Sequence, residues 1–316
     1  MTTKIILDLD TGIDDALALA YALGSSELDL IGVTGTYGNV LVETGTRNAL
    51  ALLELFGSPD VPVFAGPTHA STKDSFEVLP ISEFIHGVNG VGEAVLAEPT
   101  AQVQEKSAVD FLIESVRDHG DNLVIVPTGP STTIAAAIDA DPSFAENARI
   151  VMMGGALTVP GNVSPVAEAN VNQDPEATDR LFRTAADVTM IGLDVTLQTL
   201  LTYEETAQWR ALGTPGGDFL AEATDYYIRS YETNSPHLGG CGLHDPLAVG
   251  VAVDPSLVEL FDVNLKVDTE GELRGRVIAD ETRLNDPLKT AHVAISVDKE
   301  RFVSEFMRRI TGLVSR

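Results

Sequence analysis

The sequence predicts an α/β protein: a single domain over residues 1–316 with a mostly parallel, Rossmann-like central sheet flanked by helices. Three observations carry this. Short apolar runs of strand length alternate with longer stretches whose apolar residues fall at helical spacing, as in a parallel sheet covered on both faces. The first strand ends among clustered acids and the second among Gly, Thr and Asn, at the carboxyl ends where open α/β sheets bind ligands. The 316 residues, 44% of them hydrophobic, suffice for a large core, and no internal repeat, low-complexity tract or long linker divides them.

The first unit is Lys4 to Leu23. Ile5-Ile6-Leu7 reads as a buried strand, and from Asp14 the chain is rich in Ala and Leu and reads as a helix, with Asp14 and Asp15 in its first turn. Asp8, Asp10, Thr11 and Gly12 lie between. Carboxylates this close repel one another. Water and the helix N-terminus absorb part of that, and a hard cation such as Ca²⁺ or Mg²⁺, which takes oxygen ligands, would absorb more. The same residues also suit a simple helix cap with solvated first-turn acids.

Leu28 to Thr34 is a second strand, closed by the turn cluster Gly35-Thr36-Tyr37-Gly38-Asn39. A helix follows over Glu43 to Phe56, then a third strand from Val61 to Ala65. Residues 66 to about 105 show little periodicity, and long irregular loops in compact domains are often functional. His86 lies there, a solvated loop side chain or a ligand contact. Ala108 to His119 is helical, Leu123 to Val126 is a strand, and Pro127-Thr128-Gly129-Pro130 leads into a helix through Ala140. Ile150 to Met153 is a strand that ends in Gly154-Gly155. Residues 161–170 are irregular, and their Asn162, Glu168 and Asn170 form either a polar cluster or a turn-rich surface loop. Asp174-Pro175-Glu176 opens a helix with Pro at its first position. Val188 to Leu193 is a strand ending at Asp194.

Residues 203–235 read as mostly helical. Tyr227 and Tyr231, spaced i and i+4, share a face as core packing or as an aromatic pocket wall. A glycine-rich loop then delivers Cys241, His244 and Asp245 to an apolar helix. Cys241 and His244 form a lone metal-type pair, a weak signal without a second one; His244 beside Asp245 is the better catalytic candidate. Strands at Val258–Val267, Leu273–Ile278 and Ala291–Ser296 and a helix from Lys299 to Gly312 complete the chain.

Composition excludes several classes. The net charge of −27, from 47 acids against 20 bases, repels nucleic acid and anionic membranes and disfavours a polyanionic substrate. The single cysteine allows neither an intrachain disulfide nor a Cys-rich zinc site. The start, MTTKIILDLD, enters a strand without a basic and apolar leader, and no uncharged apolar run reaches membrane-spanning length, which predicts a cytoplasmic protein.

Taken together and in order, Asp8-Leu9-Asp10-Thr11-Gly12-Ile13-Asp14-Asp15-Ala16, Gly38-Asn39, Ile85-His86-Gly87, Pro127-Thr128-Gly129-Pro130, Met153-Gly154-Gly155, Asn162 with Glu168 and Asn170, and His244-Asp245-Pro246 resemble the inosine-uridine nucleoside hydrolase family over nearly the whole chain. The resemblance implies a Ca²⁺-dependent ribonucleoside N-ribohydrolase (EC 3.2.2 type). It implies Asp10, Asp15, Asp245 and the Thr128 carbonyl as Ca²⁺ ligands, and Asp14, Asn39, Asn162, Glu168 and Asn170 on the ribose hydroxyls with Met153 packed nearby. His86 and His244 fall on the base side, His244 as leaving-group acid. Tyr227 and Tyr231, read from their spacing and not from the resemblance, are added as candidate substrate contacts. Asp245 would serve substrate as well as metal, and a homodimer or homotetramer is implied. The family commonly has Pro where Thr11 stands, and often Phe where Ala169 stands. Ala169 removes an aromatic surface near the sugar's 5′ end. The paired tryptophans of the purine-specific branch also have no counterpart, since Trp209 is the sole Trp.

Such an enzyme must stabilise positive charge on the ribose ring and negative charge on the departing base. By this resemblance Asp10 acts as general base on a water held by Ca²⁺. The substrate is then a neutral purine or pyrimidine ribonucleoside, the base preference being open. Two rivals share the sequence features. A haloacid-dehalogenase-type phosphatase would use Asp8 as nucleophile, although that family wants Thr or Val where Gly12 stands. A non-catalytic nucleoside-binding protein on the same fold would bind without turnover.

Overall fold

The computed structural model describes residues 2–185 and 187–315. The strands are β1 (Thr3–Leu9), β2 (Leu28–Gly35), β3 (Val63–Ala65), β4 (Leu123–Pro127), β5 (Arg149–Met153), β6 (Asp187–Ile191), β7 (Leu200–Leu201), β8 (Cys241–Gly242), β9 (Val258–Val263), β10 (Leu265–Val267), β11 (Val277–Ala279) and β12 (Ala291–Val297). Eight of them form one sheet in the order β3-β2-β1-β4-β5-β6-β12-β9. Every pairing in it is parallel except the last, where β9 runs antiparallel to β12. Two small antiparallel pairs, β10 with β11 and β7 with β8, stand apart from it.

The helices are α1 (Ile13–Leu23), α2 (Val42–Leu55), α3 (Pro80–His86), α4 (Ala108–His119), α5 (Thr132–Ala140), α6 (Pro142–Asn147), α7 (Ala169–Gln173), α8 (Pro175–Thr184), α9 (Leu193–Thr196), α10 (Tyr203–Arg210), α11 (Pro215–Asn234), α12 (His244–Val253) and α13 (Lys299–Val314). They cover the sheet on both faces, and the strands divide their side chains accordingly. Ile5, Leu7 and Leu9 point into the core shared with α1, α12 and α13, while Ile6 points into the core shared with α4, α5 and α8. Val124 and Val126 go with the first set and Leu123 and Ile125 with the second. Alternation across a strand buried on both sides explains why the central strands read as unbroken apolar runs. The first core is closed by an aromatic group in which Phe306 stacks on Tyr21 at 5.5 Å between ring centres and meets Trp209 and Phe302 edge-on or tilted.

Five segments depart from the sequence expectation. The aperiodic stretch 66–105 holds a seven-residue helix, α3, opened by Pro80. Val258–Val267 is two strands in two sheets. At the break, Asn264 is buried and its side chain bonds to the carbonyls of Arg283 and Leu288 and to the Thr290 N–H. Of Leu273–Ile278, only Val277 and Ile278 belong to a strand. The strand expected to reach Leu193 stops at Ile191, and Leu193 instead begins α9. The helical region 203–235 divides at Gly213-Thr214-Pro215, where Thr214 caps α11. Among the described residues no helix is long and apolar enough to cross a membrane.

Candidate active site

The parallel order places the carboxyl ends of β1, β2, β4 and β5 along one edge, and each delivers site residues from its end or the turn after it. From β1 come Asp8 and Asp10, from the turn after β2 Asn39, from the turn after β4 Thr128, and from β5 Met153. The N-termini of α1 and α12 add Asp14, Asp15, His244 and Asp245. A cavity of about 450 Å³ opens over this edge, lined on its floor by Asp14, Thr128 and Asp245 and on its walls by Asn39, Glu168 and Tyr231, among others.

Backbone proximity makes the floor. Asp10 accepts hydrogen bonds from the Asn39 backbone N–H at 2.8 Å and from its side-chain amide at 3.0 Å. A Cβ on Gly38 would stand 1.9 Å from Asp10 Oδ2, so glycine is required there. Cβ atoms on Gly12 and Gly129 would also press on Asn39 and Asp10. Between Asp10 and Gly12, buried Thr11 takes φ +36°, with its hydroxyl donating to the Gly45 carbonyl at 3.1 Å. A β-branched residue at positive φ is strained, and proline's ring cannot adopt that angle at all. Proline here would therefore require a differently shaped turn.

Asp15 accepts from the Gly12 N–H at 2.6 Å and from the Thr128 hydroxyl at 2.7 Å. Tyr227 donates to Asp14 Oδ2 at 3.2 Å, while Asp14 Oδ1 is buried without a partner. Carboxylate oxygens of Asp14, Asp15 and Asp245 lie within 4.8 Å of one another, all three side chains buried. Asp10 adjoins this group through Asp15. Burial pushes all four upward, Asp14 and Asp15 to about 6 and Asp10 and Asp245 well above the usual carboxylate range; mutual repulsion adds to this for Asp10, Asp15 and Asp245. Among the described residues no Lys or Arg lines the cavity to relieve them. An all-oxygen donor set, an unpartnered buried oxygen and unrelieved negative charge fit a hard divalent cation.

On one wall Glu168 caps α7, its carboxylate accepting from the N–H groups of Gly155, Asn170 and Val171. Asn170 donates to the carbonyls of Thr128 and Met153. Asn162 is exposed at the rim and accepts from the Ala169 N–H. On the opposite wall His86 Nδ1 accepts from the Ile13 N–H at 3.1 Å. Its neighbour Asp14 Oδ1, 3.7 Å away, is therefore no true ion-pair partner, and burial holds the imidazole down at about 4. His244 lies between Tyr231 and Thr196, and burial, followed by the nearby His86, likewise lowers it to about 4.

Of the residues that the family resemblance assigns to the site, all but Asp10 and Asp15 line this cavity; those two lie wholly buried beneath it. Asp8 is wholly buried as well, its carboxylate accepting from the Thr34 hydroxyl at 2.6 Å. Cys241 is buried in β8 and belongs to no metal-type cluster among the described residues. Thr196 and Asp194 carried no signal in the sequence. Asp194 anchors the N–H groups of Leu157 and Thr158, which lead to Asn162.

Known proteins resemble this chain along nearly its whole length. The chain is 62% identical, with a TM-score of 0.98 over 99% of both chains, to a solved structure described as a purine-preferring ribonucleoside hydrolase from Gardnerella vaginalis. It is 36% identical to a probable uridine nucleosidase 2 of Arabidopsis thaliana, covering 97% of each chain. It is 34% identical to the pyrimidine-specific ribonucleoside hydrolase RihA of Shigella boydii, covering 98% of this chain and 99% of that one. Residues 5–304 match the family described as inosine-uridine preferring nucleoside hydrolase, and the chain belongs to that family.

Proposed function

We propose that the protein hydrolyses ribonucleosides to ribose and free base, with purine ribonucleosides preferred, using Asp10 as general base and a Ca²⁺ ion held by Asp10, Asp15, Asp245 and the Thr128 carbonyl. The observation that carries this is the set of buried, mutually close carboxylates, one oxygen unpartnered, beneath a cavity with polar groups on one side and imidazole and tyrosine on the other. The purine preference is supported by the 62% identical relative.

The glycosidic C1′–N bond breaks with its electron pair going to the base, and water adds its oxygen to C1′. Asp10 takes the water's proton, its carboxylate aimed by the two bonds from Asn39. When bound, a cation held by these residues would supply positive charge that makes water more acidic. Asp14, Asn39, Asn162, Glu168 and Asn170 grip the hydroxyls, and the buried acids favour positive charge on the ribosyl ring. His244 and His86 meet the base together with Tyr227 and Tyr231. A neutral imidazole serves there as a polarising donor. A cytoplasmic enzyme, assembled as a homodimer or homotetramer and acting through residues 1–316 as one domain, completes the reading.

The test is ribose release from inosine, adenosine, guanosine, uridine and cytidine, with added Ca²⁺ and after chelation. Metal-dependent release, fastest on a purine nucleoside, is the expected result. Release unaffected by chelation would overturn the metal assignment, and faster release from uridine the base preference. Tight binding of inosine without release would favour a non-catalytic binding protein.

A further inference from the structure

The His244 ring is held at both nitrogens, by the Tyr231 hydroxyl 2.6 Å from Nε2 and by Thr196 Oγ1 2.7 Å from Nδ1. The two hydroxyls are not equivalent. Tyr231 is half-buried and lines the cavity, where water or a base can accept its proton. Thr196 is wholly buried, and His244 Nδ1 is the partner of its hydroxyl. A buried O–H that finds no acceptor is costly, whereas a hydroxyl lone pair left over costs less. Thr196 therefore gives its proton to Nδ1, and the neutral ring carries its own proton on Nε2. Thr196 is itself fixed. It is the last residue of α9, its N–H donates to the Gly192 carbonyl, and its carbonyl accepts from the Thr199 hydroxyl. The Thr199 carbonyl in turn holds the N–H of Leu243, next to His244.

We propose that Thr196 is a positioning residue for hydrolysis: its hydroxyl donates to His244 Nδ1 and locks the Nε2–H tautomer, so that this N–H donates to the Tyr231 oxygen and the Tyr231 hydroxyl proton is turned to the departing base in the cavity. This rests on the reading that His244 and Tyr231 meet the base. Thr196→Val keeps the shape and removes the donor, so the ring loses its fixed tautomer. With Ca²⁺ added, kcat on inosine should fall about tenfold, the order expected for one buried hydrogen bond, with KM little changed. Hydrolysis of p-nitrophenyl riboside, whose leaving group needs no help, should fall far less. Thr196→Ser should restore most of the inosine rate. His244→Ala is measured alongside. If it harms inosine selectively and Thr196→Val does not, the role of Thr196 is overturned while His244 keeps its own. If His244→Ala harms both substrates equally, the base-side reading of His244 is what fails. Nitrogen-15 NMR of the histidines in the unaltered protein reads the tautomer without any variant. A protonated Nε2 and bare Nδ1 on His244 support the proposal, and the reverse would overturn it even if Thr196→Val does not fold.

Discussion

Stripping divalent cations from the protein should lay bare the pH dependence that its buried acids impose on stability. In the metal-free fold, burial raises Asp14 and Asp15 from 3.8 to about 6. Between those values the native state holds protons that the unfolded chain has released. The unfolded state then binds fewer protons than the native, so unfolding becomes easier as pH rises. The contribution is intact below pH 4 and is lost as pH climbs through about 6. A carboxylate moved by about 2 pH units is worth about 3 kcal/mol. For a chain of this length the unfolding entropy is on the order of 0.7 kcal/mol per degree, so one such group shifts Tm by about 4 °C. Burial holds His86 and His244 at about 4, which works the other way over pH 5 to 7.5, so the acids' part is read against an Asp14→Asn, Asp15→Asn variant. About half of each acid's contribution is lost in that window, so in thermal melts in chelator the unaltered protein should lose about 4 °C of Tm relative to the variant. Added Ca²⁺ should raise Tm most at the upper end, where the ligands are ionised and the ion binds the native state alone. A Tm difference between the two proteins that stays flat over this range would refute the picture of a floor built from strained carboxylates. So would a Ca²⁺ effect as large at pH 5 as at pH 7.5.

Gly38→Ala forces its Cβ against Asp10, so kcat should fall about 100-fold or more while Tm drops modestly; near-native kcat would show that the turn yields freely. On the proposed hydroxyl contacts, 2′-deoxyinosine should be cleaved with kcat/KM lower than inosine by about 10⁴, and comparable values would remove the ribose-gripping role. Phe306→Ala opens a cavity among Tyr21, Trp209 and Phe302 and should cost about 3–5 kcal/mol in urea unfolding, with KM on inosine unchanged.

Much of the fold and the site is legible in the sequence because it is local. The β1–α1 switch is written within twelve residues, and the amino-acid pattern alone assigns its acids to a sheet edge. The central strands are legible because burial on both faces leaves an unbroken apolar run. What escapes is set by contacts remote in sequence. Strand β9 ends at Asn264 because the side chain finds partners 19 to 26 residues away. Nothing in the run from Val258 to Val267 announces that. The helix α3 is only seven residues long, too short for periodicity to register. Thr196 reaches His244 across 48 residues, and an isolated threonine has no pattern to betray it. Proline and threonine look interchangeable at position 11, because composition carries no sign of φ.

The glycines that crowd Asp10 and Asn39 have a consequence for how such an enzyme can diversify. Where main chain itself forms the floor, no side chain is available to exchange, and any enlargement moves a segment that also holds a reactive acid. Diversity must then accumulate at the mouth, where Ile81, Asn234 and His237 border the cavity without supporting the carboxylates. The sugar half of the reaction is in this sense inherited whole, and the base half is open to revision. A library intended to redirect the enzyme would gain most by varying the rim and leaving the floor as it is.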